Sequence, residues 1–174
     1  MQQSIGQMIV GVFRVVFLRG SPERVHYSQL RFYFALGAAF VASAGGQWFF
    51  HNQHVVFVIL RVFAELIMFM LMVVLLTRKV ARFRLTYMML LLLLINLFGD
   101  LFLLGLAPVL PQQAGTLVAV AVGAVVFYGA ASVSAWAQQA PLLQGVVVIG
   151  LYVAAVTGLD MAFQYLYNMV AGLA

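Results

Sequence analysis

Residues 55–77 read VVFVILRVFAELIMFMLMVVLLT, an apolar stretch interrupted only by Arg61 and Glu65, one helical turn apart. A helix needs about 20 mostly apolar residues to cross a bilayer, and this stretch supplies them without a proline or glycine. Charge at such depth is costly, so Arg61 and Glu65 must have a partner or a task.

The rest of the chain has the same character. Of its 174 residues, 66% are hydrophobic and only 7% charged, against roughly 25% charged in soluble domains. The expected class is an all-α integral membrane protein. Spans are expected at about 29–50, 55–77, 85–107, 114–136 and 144–170, five in all, forming one transmembrane domain over 21–174. Ahead of them, Ile5, Met8, Ile9, Val12, Phe13, Val16 and Phe17 recur at helical spacing, so 1–20 reads as an amphipathic interfacial helix. It lacks the basic leader and small-residue cleavage site of a secretory signal and is expected to be retained. Gly20 ends it, and Ser21-Pro22-Glu23 carries the hydroxyl, proline and acid of a helix start.

The net charge of +5 does not mark a nucleic-acid binder, because the basic residues flank apolar segments. Arg14, Arg19, Arg24 and Arg31 precede or open the first span; Arg78, Lys79, Arg82 and Arg84 fill the second break. Alternation puts both groups on one side of the membrane. By the positive-inside rule the N-terminus is cytoplasmic and the C-terminus outside, and the basic break can contact anionic lipid headgroups. Trp48, Trp136 and Tyr167 fall near span ends, where interfacial aromatics belong.

Helix contacts in lipid depend on small residues that let backbones approach. Ala38, Ala42 and Gly46 repeat every four residues in the first span, and Gly150, Ala154, Gly158 and Ala162 do so in the fifth. Both rows are expected to pack. The fourth span, rich in Gly and Ala, is expected to sit centrally, and the run Leu90–Leu94 to face lipid.

Three spans each carry an acid. Arg61 and Glu65 share a face of the second, Asn96 and Asp100 of the third, and Thr157, Asp160, Gln164 and Asn168 of the fifth. At about 1.5 Å rise per residue, Arg61, Asp100 and Asp160 reach a similar level in the outer half, with Glu65 a turn deeper. With the cation toward the helix N-terminus, the Arg61–Glu65 pair has the weaker order, so Arg61 is expected to find Asp100 or Asp160 across the bundle. The intramembrane cluster is therefore Arg61, Glu65, Asn96, Asp100, Asp160 and Gln164. Its surplus of acids requires protons, a cation, water or a residue from another subunit.

Catalytic signatures fail on inspection. Leu97-Phe98-Gly99-Asp100 holds the Gly-Asp of intramembrane aspartyl proteases, but Leu97 stands where that family has Gly, and Asp160 follows Leu159 where Tyr is expected. His51 and His54 share a break without a third ligand on their side, and His26 is expected opposite. With no cysteine, disulfides, thiolate nucleophiles and Cys-held metals are excluded. No phosphate-binding glycine loop occurs. No catalytic residue, metal or cofactor is expected.

The opening Phe17-Leu18-Arg19-Gly20-Ser21-Pro22-Glu23-Arg24, with Tyr27-Ser28 leading into the first span, resembles the start of small Yip1-like bacterial inner-membrane proteins. The five-span, N-in and C-out plan is similar across nearly the whole chain. The resemblance implies a non-enzymatic membrane adaptor. Together these features point to a scaffold, assembly factor or accessory subunit of a cell-envelope complex, partnered by lipid and by other membrane subunits or its own copies. A small proton or cation transporter using the intramembrane acids and a lipid-binding protein are the alternatives.

Overall fold

A computed structural model describes residues 28–51, 55–77, 80–106 and 109–171, with isolated positions at 7, 10, 11 and 14. Five helices occupy the described residues, with no strand: α1 (Gln29–His51), α2 (Val55–Thr77), α3 (Arg82–Leu106), α4 (Gln112–Gln138) and α5 (Leu142–Ala171). The expected interfacial helix over 1–20 lies outside the described residues apart from Gln7, Val10, Gly11 and Arg14.

Four of the five, α2 to α5, are long and apolar enough to cross a membrane, which fits a multi-pass membrane protein. α1 equals α2 in length, at 23 residues, but Arg31, Gln47 and three glycines dilute its apolar content. The helix starts follow local chemistry. Ser28 Oγ accepts from the Arg31 N–H at 3.2 Å and caps α1. Pro111 and Pro141 stand immediately before α4 and α5, where a missing N–H costs nothing.

Neighbour follows neighbour in a closed circuit: α1 packs on α3, α3 on α4, α4 on α5, α5 on α2, and α2 on α1. α2 and α3 also touch, more thinly, across the middle. α3 is the core helix, with 44% of its span buried against 17% for α4 and 11% for α5. This corrects two expectations. The fourth span is peripheral, and Leu90, Leu91, Leu92, Leu93 and Leu94 are all buried instead of facing lipid. Five consecutive helical positions point in every direction, so their joint burial requires cover all round, which α1, α2 and α4 provide. Leucine suits lipid and helix core equally, and composition alone could not separate the two.

The small-residue rows divide. In α1, Ala35, Ala39 and Ala42 are buried and Gly46 faces Leu104 of α3, so this helix does pack through small residues, with Ala38 only half-buried. In α5 the expectation is corrected: Ala154, Gly158 and Ala162 are exposed, and open space fronts both Gly150 and Gly158. A row at four-residue spacing drifts around the helix because one turn takes 3.6 residues, and here it drifts outward. The close approach of α5 is at Gly145. A Cβ built there lands on the Ala131 carbonyl oxygen and 2.9 Å from Ala135 Cβ. Only glycine lets α4 and α5 meet this near their connecting turn.

Candidate functional site

Arg61 sits in the second turn of α2 and is 7% exposed. Its Nε donates to Asp160 Oδ1 of α5 at 2.6 Å and lies 3.5 Å from Glu65 Oε1, one turn along its own helix. The shorter bond crosses the bundle, in keeping with the helix-order argument. α2 and α5 are held in this register by a second contact, where Phe57 and Tyr167 meet edge to face with ring centres 5.1 Å apart. With both acids ionised, the triad carries one net negative charge. Arg61 Nη1 is buried and has no hydrogen-bond partner. A water or a hydroxyl oxygen would answer the guanidinium, whereas the charge calls for a proton or a cation.

Asp100 does not join this triad. Asn96 Nδ2 donates to its Oδ2 at a long 3.5 Å, and Asp100 is in no ion pair among the described residues. Gln164 and Asn168 are exposed, and Thr157 turns its hydroxyl back to the Val153 carbonyl at 2.8 Å. Of the polar row on α5, only Asp160 points at the rest of the cluster.

Inside the circuit of helices is a cavity of about 370 Å³, lined from all five. That volume falls within the range of small-molecule sites, roughly 300–1,000 Å³. The wall is mainly aliphatic and aromatic, with Ser43, Glu65, Asn96 and Tyr152 as its polar members. Glu65 therefore faces two ways, toward Arg61 and into the cavity. Among the described residues, no group of three or more His, Cys, Asp and Glu side chains is arranged to hold a metal ion.

At the opposite end of the bundle, Arg84, expected to contact lipid headgroups, is half-buried and bonded within its own chain. Its Nη1 donates to the Trp136 carbonyl at 3.4 Å and its guanidinium lies 5.5 Å from the Trp136 ring centre. With the Gln139 amide oriented to satisfy both groups, its oxygen accepts from Nη1 and Nη2 at 2.7 Å. A cation at the C-terminus of α4 also complements the helix dipole. The stacking of Arg84 near Trp136 was not legible from sequence separation, and Arg78, Lys79 and the Arg82 side chain lie outside the described residues. Gln138 Nε2 donates to the buried Ser134 Oγ at 3.0 Å, and Gln144 Nε2 donates to Gln138 Oε1 at 3.1 Å, tying the same turn.

Gln139 is the one non-glycine at positive φ among the described residues, at φ 54°. That conformation costs about 1 kcal/mol for a residue with a Cβ, and the Arg84 bonds offset it. Gln139→Gly is accordingly expected to be nearly neutral, because strain and bonds leave together. Gln139→Ala keeps the strain, loses the bonds and should cost about 1 kcal/mol in detergent unfolding.

No family model matches this chain, and neither a curated protein nor a solved structure does so.

Proposed function

We propose that this is a five-span, non-catalytic protein of the bacterial inner membrane, with its N-terminus cytoplasmic, that acts as a scaffold, assembly factor or accessory subunit of an envelope complex. α1 is the fifth span in this reading, matched to α2 in length and packed along α3. The observation that carries the reading is the outward face of α5. Ala154, Gly158 and Ala162 are exposed there, and open space fronts Gly158. Gln164 is exposed on the same helix, and an amide facing hydrocarbon is costly without a partner. A helix of another subunit laid along the Gly158 face would gain close backbone approach, and a second helix of that subunit would supply hydrogen bonds to the amide on the other side of α5. Asp100, an acid within α3 that forms no ion pair among the described residues, offers a separate attachment point for a basic residue of a partner.

Gly158→Leu tests this, since Gly158 is exposed and open space lies where the added Cβ would stand. Extracted gently from native membranes, the wild type is expected to migrate as a complex and the variant as a protomer, with equal unfolding temperatures. A wild type that migrates as a protomer overturns the proposal.

A further inference from the structure

The cavity inside the bundle has a consistent chemistry. Among the described residues its only charged wall residue is an acid, Glu65, and around it stand the rings of Phe40, Phe69, Phe127 and Tyr152. Phe69 lies one turn beyond Glu65 on α2 and meets Tyr152 of α5 edge to face, with centres 6.3 Å apart. Aromatic faces and a carboxylate in a desolvated space are the groups that recognise a weakly hydrated cation. The charge balance has the same sign, because two carboxylates share the single Arg61 guanidinium.

The cavity also has a way in from the bilayer. Gly123 of α4 and Val153 of α5 both line it and both are exposed. These helices are locked together at Gly145 near their turn, but farther along they serve different neighbours. Gly99 of α3 receives Val122 and Val126 of α4, whereas Asp160 and Tyr167 of α5 turn to α2. The cavity thus meets the surface of the bundle on the α4 and α5 side, at Gly123 and Val153.

We infer that this cavity binds lipophilic quaternary cations that enter from the membrane between α4 and α5, with Glu65 as counter-ion. The inference stands apart from the accessory role of the outward α5 face. A fixed positive charge within an apolar shell partitions into the bilayer, passes Gly123 and Val153, and exchanges water for rings and a carboxylate.

Tetraphenylphosphonium and tetraphenylborate, close in shape and opposite in charge, are suitable probes for equilibrium binding to the purified protein. The phosphonium is expected to bind saturably and the borate not. Glu65→Gln should weaken phosphonium binding by at least about tenfold, the scale of one lost charge-assisted contact. Should Glu65→Gln disturb the fold, Gly123→Leu provides the second variant. Open space lies where its Cβ would stand, leucine keeps the helix and the longer side chain narrows the entrance, so binding should weaken with the unfolding temperature unchanged. Asp100→Asn, outside the cavity wall, should bind as the wild type does. Absence of saturable phosphonium binding overturns the inference, as does equal binding of both probes. So does undiminished binding by both Glu65→Gln and Gly123→Leu.

Discussion

Gly145→Ala is expected to be the most damaging single-methyl change in the described bundle, costing about 3 kcal/mol, at the upper end of the overpacking range. The added carbon would lie on the Ala131 carbonyl oxygen and 2.9 Å from its carbon. Backbone cannot rotate aside as a side chain can, so α4 and α5 must separate. Their separation would also pull apart Gln144 and Gln138 and loosen the turn held by the Ala140 N–H bond to the Ala135 carbonyl. Gly99→Ala is the control. Its Cβ would meet Val126 Cγ2 at 2.7 Å, a methyl that can turn away, and about 1 kcal/mol is expected. Gly150→Ala faces open space and should stay within about 0.5 kcal/mol of the wild type. Unfolding by denaturing detergent, followed by helicity, ranks the three. Equal stability of Gly145→Ala and Gly150→Ala would remove the close crossing of α4 and α5.

The glycine series also shows where sequence reading stops in a membrane protein. Element lengths were legible: the expected 55–77 is the extent of α2, and the expected 85–107 differs from Arg82–Leu106 by three residues at most. Lipid hydrocarbon demands a continuous apolar run and closed backbone hydrogen bonds, and both leave plain marks in sequence. Which side of each helix faces inward was far less legible, because lipid and protein interior ask for the same residues. Leu90–Leu94 were accordingly assigned to lipid and are buried, and most of the Gly150 row, expected to pack, is left uncovered by the chain's own helices. Charge at depth is the exception. Arg61 could not remain in hydrocarbon unpaired, and the helix-order argument narrowed its partner to Asp100 or Asp160. The cavity had no such mark, since it depends on how five helices leave space between them.

Removing the Asp160 carboxylate is expected to produce the largest loss among the polar residues, about 3 kcal/mol for Asp160→Ala. Arg61 is buried, with its best bond at 2.6 Å to Asp160 and its Nη1 already without a partner. Without Asp160, the guanidinium retains Glu65 at 3.5 Å in the weaker helical order. Glu65→Gln should therefore cost less, about 1 kcal/mol, because the short cross-helix bond survives it. The contact can be isolated by a double-mutant cycle. If Arg61 and Asp160 act as a unit, then Asp160→Ala placed on Arg61→Met should add less than about 0.5 kcal/mol, since the charge that needed the carboxylate has gone. Asp160 also belongs to the helix whose outward face is assigned to partner contact, so the pair fixes more than local stability. It sets the rotation of α5 about its own axis, which directs Gly158 outward while Asp160 points in. Loss of the pair should then lower assembly as well as stability, whereas Gly158→Leu lowers assembly alone. Additive costs for Arg61→Met and Asp160→Ala would dissolve that link, leaving the orientation of α5 to be set by the Gly145 crossing and the Phe57–Tyr167 contact.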